Sequence, residues 1–285
     1  MAYKELYEFE KALEHMNRDL SFCREKKMNL RSGHSTLERQ NALIEEGQSH
    51  QNIGTVYQRM AKYDEAKRSY NAARQCFKHA GASSESRIAD IDNNLKNCEY
   101  GAGVLKKIKG RKNQYAKLSS SSSTNLNQQR GEKMEILSEI ARCYDDIQMP
   151  HKAIAYWERI IAMSENDGNA RLGLAKSLYE RYSSVESETH LKQSIHHATK
   201  AAQIIRKKSS LESGSPNTAD IATCFDLIGN AMSAMYMPTH DTIEHYEQAL
   251  AGTIKLLSSN VDYHFCYTDL HFLCLRYFLM YTYLF

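Results

Sequence analysis

A chain of 285 residues is long enough to bury a sizeable core, either as one elongated array or as two ordinary domains. Its 37 basic and 34 acidic residues leave a net charge of +3, which by itself assigns no nucleic-acid partner, and with only 3 prolines and 13 glycines long helices are favoured over strands. The seven cysteines (Cys23, Cys76, Cys98, Cys143, Cys224, Cys266, Cys274) are scattered, with no CxxC pair and no histidine at metal-ligand spacing, so no metal site is expected and a reducing compartment fits best. The opening run Met1-Ala2-Tyr3-Lys4-Glu5 has neither an apolar core nor a cleavage site, so secretion is not expected.

Tyr3, Leu6, Tyr7, Leu13, Met16, Leu20 and Cys23 recur at threes and fours and predict one amphipathic helix over residues 3–30, whose apolar stripe needs a partner. Gly33 marks a stop, and Ser35-Thr36 followed by Glu38 reads as an N-cap for a helix running from Leu37 to about Met60. A second helix is predicted from Tyr63 to His79, after a polar turn at Ala61-Lys62-Tyr63-Asp64. The pair carries Ile53, Gly54 and Tyr57 on its first helix and Ala66, Tyr70 and Ala73 on its second, small residues alternating with large ones where two backbones must approach closely.

After a break at Gly81, the residues Ile88, Ile91, Leu95, Cys98, Val104, Leu105 and Ile108 predict another helix. It ends in Lys106, Lys107, Lys109, Arg111, Lys112 and Lys117 with no acidic residue among them, followed by the unbroken serines Ser119 to Ser123. Residues 110–131 are therefore expected as a flexible basic and Ser-rich loop. The lysines admit a nuclear-import or nucleic-acid reading. A solvated helix end is the preferred one, and no direct nucleic-acid contact is expected.

The hairpin then returns as Ile140, Ala141, Tyr144, Ala153, Trp157 and Ile160 with identical internal offsets, and Ile140 and Leu174 stand 34 residues apart. Leu174, Ala175 and Leu178 open a third unit, which a long connection from Tyr182 to His190 joins to a helix over Leu191–Ile205 bearing Ser194, Ala198 and Ala201. A polar loop is expected over 207–218. Phe225, Ile228, Gly229 and Met232 open a fourth unit, closed by Thr242, Tyr246 and Ala249 after the turn Met237-Pro238-Thr239-His240. This spacing resembles the tetratricopeptide repeat, and the resemblance implies an all-α solenoid of helical hairpins coiled as a right-handed superhelix.

From Val261 to Phe285 aromatics, Leu and Cys crowd together without polar spacing. The most apolar part, Phe272–Phe285, is interrupted by Arg276 and falls short of the roughly 20 residues of a membrane span. An unpartnered array helix, a tail foreign to the fold and a tail anchor are the three readings, with the anchor last and membrane attachment not expected. The expected organisation is thus N-terminal helices and a first unit over 1–109, a loop over 110–131, further units over 132–258 and an apolar tail of uncertain status over 259–285.

The sequence has no P-loop, no dinucleotide fingerprint, no nucleophile elbow and no HExxH helix, so neither catalysis nor a cofactor is expected. His196 and His197 are adjacent on a helix and point apart. Trp157 reads as core, and Cys76, Cys98, Cys143 and Cys224 read as small apolar residues. Arrays of this kind act through the face lined by their first helices. Residues there include Gln48, Gln51, Thr55, Gln58 and Arg59 in the first unit and Glu135, Ser138, Glu139, Arg142, Asp145 and Asp146 in the second. Lys176, Tyr179 and Glu180 follow in the third, and Asp226 and Asn230 in the fourth. Gln51 and Thr55 stand where the family's chaperone-tail binders carry Lys and Asn, which argues against that activity. The acidic members favour a basic peptide.

A closer resemblance lies in the order AKYDEAKRSYNAARQCFK, IADIDNNLKNCEYGAGVLKKIKG, an insertion, then EKMEILSEIARCYDDIQMPHKAIAYWERIIAMSE. Over about residues 10–260 this order resembles part of the N-terminal repeat region of Tonsoku-like proteins. That resemblance implies a nuclear scaffold at damaged replication forks that binds histones and a large helical partner and serves homologous recombination. The ankyrin and leucine-rich repeats of that family are absent here. The alternative is a cytoplasmic polarity or spindle adaptor of the Pins type, or a motor-cargo adaptor.

Overall fold

The computed structural model describes residues 2–30, 35–81, 84–120, 125–185, 187–211, 218–235 and 248. Among these residues the chain forms helices and no strand: α1 (Ala2–Asn29), α2 (Thr36–Arg59), α3 (Tyr63–Ala80), α4 (Glu85–Ser120), α5 (Leu126–Asp146), α6 (Pro150–Met163), α7 (Gly168–Val185), α8 (Glu188–Leu211) and α9 (Thr218–Ala234). The chain forms two compact units, Met1–Ile108 and Lys109–Phe285; α2 packs on α1 and on α3 in the first, and each helix from α5 to α8 packs on the next in the second.

In the first unit α2 starts at the expected cap. Glu38 N–H donates to Ser35 Oγ at 3.2 Å and Ser35 N–H donates to the Glu38 carboxylate at 2.8 Å, a reciprocal box that satisfies two otherwise orphaned donors. The apolar stripe of α1 finds its partner there, with Leu13 and Leu20, flanked by Phe9 and Met16, packing on Ile53 and Val56 of α2. Beside it Glu46, 5% exposed, is paired by Arg24 at 3.2 Å and by Lys27, both from α1. Those cations outweigh the burial that would raise it and hold the Glu46 carboxyl below its usual range.

The α2/α3 hairpin closes over Ala66, Tyr70, Ala73 and Phe77, all essentially inaccessible. Its seam depends on missing atoms. A methyl group on Gly54 would lie 2.8 Å from two ring carbons of Tyr70, and one on Gly47 would lie 2.6 Å from the Phe77 ring. Burying a ring of that size contributes about 1.5–3 kcal/mol, and only a residue without Cβ lets the backbone come near enough to cover it. Ile91 and Cys98 of α4 complete this core, and Gly101 meets the Tyr63 ring in the same way.

The second unit repeats the hairpin. Ile140, Ala141, Tyr144, Ala153, Trp157 and Ile160 of α5 and α6 are all buried, at 5% exposure or less. The α2/α3 and α5/α6 turns share one geometry. Ala61 and Gln148 both adopt the left-handed conformation, with φ of 54° and 56°. Lys62 N–H donates to Tyr57 O and Met149 N–H to Tyr144 O, each at 2.9 Å, while Ala61 N–H and Gln148 N–H reach back to Gln58 O and Asp145 O. This is the Schellman closure of a helix C-terminus, built here without glycine. Further along, Leu172 and Ala175 of α7 share a core with Ala198, Ala201, Ala202 and Ile205 of α8 and Cys224, Phe225 and Ile228 of α9. Gly229 is buried in α9, whereas Tyr57 is only half-buried.

Several expectations are corrected. The loop expected over 110–131 is helical through Ser120 and again from Leu126. Arg111, Tyr115 and Leu118 fall on one side of α4, and Lys, Gln and Ala are strong helix formers. The long connection expected over 182–190 is short: α7 continues to Val185 and α8 begins at Glu188. Serine and valine cost only tenths of a kcal/mol each in a helix, roughly 0.7 at most, too little to end one by themselves. The polar loop expected from 207 is helical to Leu211. Thr242, Tyr246, Ala249, the turn at Met237 and the tail over 259–285 lie outside the described residues.

Gly54→Ala is expected to lower stability by about 1–3 kcal/mol through overpacking against Tyr70. Gly103→Ala, at an open helix position where nothing lies within 4 Å, should raise it by about 0.5–1 kcal/mol. Urea midpoints of the two variants check the contrast. In the turns, Ala61→Gly and Gln148→Gly remove a left-handed penalty of roughly 1 kcal/mol, and each should raise the thermal midpoint.

Candidate functional site

Within the second unit the first helices of successive hairpins stand side by side, α5 touching α7 and α7 touching α9. This places the residues read from the sequence, but it does not leave them all on the surface. Glu135, Arg142, Asp146, Lys176 and Glu180 are exposed. Ser138, Glu139, Asp145, Tyr179, Asp226 and Asn230 have structural contacts instead, Ser138 donating to Glu135 O at 2.8 Å. Glu139 is paired with Arg111 of α4 at 2.5 Å, Tyr179 packs against the α8/α9 core, and Asp226 accepts a hydrogen bond from Asn230 at 3.0 Å.

Asp145 is the main correction. Instead of facing a ligand it accepts from the Trp157 indole N–H at 3.2 Å and from the Ser177 hydroxyl at 2.8 Å, joining α5 to α6 and α7. An indole is a donor only, so a buried Trp157 requires such an acceptor. The first hairpin solves the same problem at the same offset, where the Tyr70 hydroxyl donates to Gln58 Oε1 at 2.9 Å. Gln58 is thereby also withdrawn from the surface set. The 12-residue interval from Gln58 to Tyr70 and from Asp145 to Trp157 was a readable signal for this role. Gly173 makes the other wall for the indole, since a methyl on it would lie 2.6 Å from the ring.

Burial is the largest cause pushing the Asp145 carboxyl up to about 6. The Ser177 and Trp157 bonds oppose it, and the nearby Glu180 and Asp146 carboxylates add to it. Glu180 is itself raised by burial, against the pull of Lys176. The three carboxylates Asp145, Asp146 and Glu180 therefore form one negative locus between α5 and α7. On α8, burial first and then the charges of His196, Arg171 and Lys200 press His197 down to about 4. Its Nδ1 lies 3.4 Å from the buried Arg171 guanidinium, and its ring meets His196 edge-on at 5.3 Å. Cys98, Cys143 and Cys224 are buried and Cys76 half-buried, and burial pushes the Cys224 thiol up to about 12, far from the thiolate a nucleophile needs. Among the described residues no helix is long and apolar enough to cross a membrane.

Paired helices with small residues under aromatic rings and one shared turn geometry define an all-α protein of tetratricopeptide-type helical hairpins. No protein-family model and no curated protein matches the sequence. Among solved structures, the chain is similar to one described as the functional characterisation of Pseudomonas aeruginosa PilF. The identity is 16%, the TM-score is 0.35, and the match covers 90% of this chain and 98% of that one. A likeness at that level carries no argument about function.

Asp145 and His197 act on stability with opposite signs. The folded Asp145 holds its proton up to about 6 whereas its ordinary value is 3.8, so the folded state is favoured below about pH 4 and loses on the order of 2–3 kcal/mol as pH rises through 6. His197 stays neutral down to about 4 against an ordinary 6.5, so its contribution is present above 6.5 and is lost as pH falls towards 4. Urea midpoints across this window should show His197→Gln gaining stability on acidification and Asp145→Asn losing it more steeply than the parent chain.

Proposed function

We propose that this chain is a non-enzymatic protein-interaction scaffold whose second unit takes a basic peptide along its first helices. The observation carrying this reading is the negative locus between α5 and α7, where Asp146 and Glu180 are exposed beside the half-buried Asp145. Exposed Glu135 extends it along α5, while Arg142 and Lys176 on the same face limit how many cations it can accept. A Lys or Arg of the partner would form charge-assisted hydrogen bonds with Asp146 and Glu180 while relieving the repulsion around Asp145.

The order of elements in the sequence supports a finer version. By its resemblance to the repeat region of Tonsoku-like proteins, the basic peptide would be a histone segment, a large helical repair protein would be a further partner, and the setting would be the nucleus during homologous recombination. The polarity, spindle or motor-cargo adaptor reading uses the same hairpins at the cell cortex or in the cytoplasm. Imaging of a tagged chain separates the two: nuclear signal that concentrates after replication damage supports the first, and cortical signal overturns it.

The groove itself is tested by fluorescence anisotropy with core-histone tail peptides. Glu135→Lys, Asp146→Lys and Glu180→Lys together should weaken binding at least about tenfold, roughly 1.4 kcal/mol, because like charges then face the peptide. Unchanged affinity in the triple variant would remove the acidic face from the account.

A further inference from the structure

Opposite in charge to that locus is a second cluster, where α4 crosses α5 and α6. Lys112 Nζ donates to the Tyr144 hydroxyl at 2.9 Å and sits 5.3 Å and 5.6 Å from the centroids of the Tyr144 and Tyr156 rings. Those two rings are themselves stacked at 5.6 Å. Lys152 caps the Tyr144 ring at 5.6 Å. The Arg159 guanidinium covers Tyr115 at 5.2 Å and Tyr156 at 5.8 Å, and donates to the Tyr115 hydroxyl at 3.2 Å. Lysines, an arginine and tyrosines thus alternate in one ladder. The rings hold the three cations in place, so little side-chain entropy remains to be lost when an anion arrives.

Among the described residues no carboxylate pairs with Lys112, Lys152 or Arg159. From Lys109 to Ser120 α4 carries no acidic residue. On α5, Glu139 is taken by Arg111. On α6, Glu158 follows Tyr156 by two residues and precedes Arg159 by one, so it points about 100° round the helix from Arg159. Lys152 is held below its ordinary range by burial first and then by the like charge of Lys112. Lys112, Lys152 and Arg159 are all exposed. Along α6, Lys152 and Arg159 lie two turns apart, about 10 Å, with Lys112 reaching between them from α4.

We propose that the Lys112, Lys152 and Arg159 face of the second unit binds the phosphate backbone of single-stranded nucleic acid. A run of fixed cations along one face is the arrangement that follows a flexible polyphosphate, and the half-buried Tyr115 and Tyr156, unlike the buried Tyr144, leave aromatic edges beside it for bases. A folded or peptide partner would need an apolar anchor as well. Among the described residues the large exposed hydrophobic ones are Phe22, Met28, Leu37, Tyr100 and Leu126, and none of them belongs to this ladder. Composition and charge alone did not lead one to expect such a nucleic-acid contact, and it is independent of the acidic face.

The test is anisotropy titration of labelled oligothymidylate and oligouridylate with the full chain over a range of salt. Three phosphate contacts predict that log affinity falls against log salt with a slope of about −2. Lys152→Gln with Arg159→Gln should weaken binding at low salt at least about tenfold and flatten the slope, with the helical circular dichroism unchanged. Adding Lys112→Gln should deepen the loss, while Lys96→Gln, on an exposed part of the first unit, should leave binding as it was. Histone-peptide binding should survive in the Lys152→Gln, Arg159→Gln chain, which separates this result from that of the acidic face. Absence of oligonucleotide binding, an unchanged salt slope in the variants, or a polyglutamate peptide binding as tightly as the oligonucleotide would each overturn the proposal.

Discussion

The structure depends on rings being covered by residues too small to resist them. Tyr70 lies on Gly54, Phe77 on Gly47, Tyr63 on Gly101 and Trp157 on Gly173. Each contact brings two helix backbones close enough to exclude water from an aromatic face, and each removes on the order of 150–250 Å² of surface from solvent. The same contacts impose a second demand. A buried tyrosine or indole has a polar tip that must find an acceptor, and the chain supplies one from the neighbouring first helix, Gln58 for Tyr70 and Asp145 for Trp157.

That second demand decides which polar residues remain for partners. Asp145 looks like a surface carboxylate in the sequence, but it is consumed as the acceptor that lets the only tryptophan of the chain be buried, and Ser177 shares the load. Its negative charge persists in a desolvated place and adds to that of Asp146 and Glu180. On the other side of α5 the tyrosines do the opposite work, holding cations rather than sheltering beneath glycines. One packing rule therefore leaves the second unit with a negative locus between α5 and α7 and a positive one where α4 meets α5 and α6.

The hairpins were legible in the sequence because their determinants are local. Ile53, Gly54, Ala66, Tyr70 and Ala73, with their counterparts in α5 and α6, are buried where the spacing put them, and the Ser35 cap with Glu38 forms as read. Legibility failed where the deciding contact is remote in sequence. Arg111 and Lys112 looked like a solvated run because Glu139 and Tyr144, which hold them, lie about 30 residues on. Asp145 and Glu139 looked available for the same reason. A charged residue announces its type in the sequence but not its partner, and pairing is settled only when the helices are assembled.

The central claim is that Trp157 is a buried core residue pinned by Asp145 and covered by Gly173, and because the chain has a single tryptophan its fluorescence reports on that place alone. Acrylamide quenching and the emission maximum of the native chain measure it directly. The account predicts blue-shifted emission that acrylamide barely reaches until the chain is unfolded. Red-shifted emission, quenched as freely in the native chain as in urea, would contradict it.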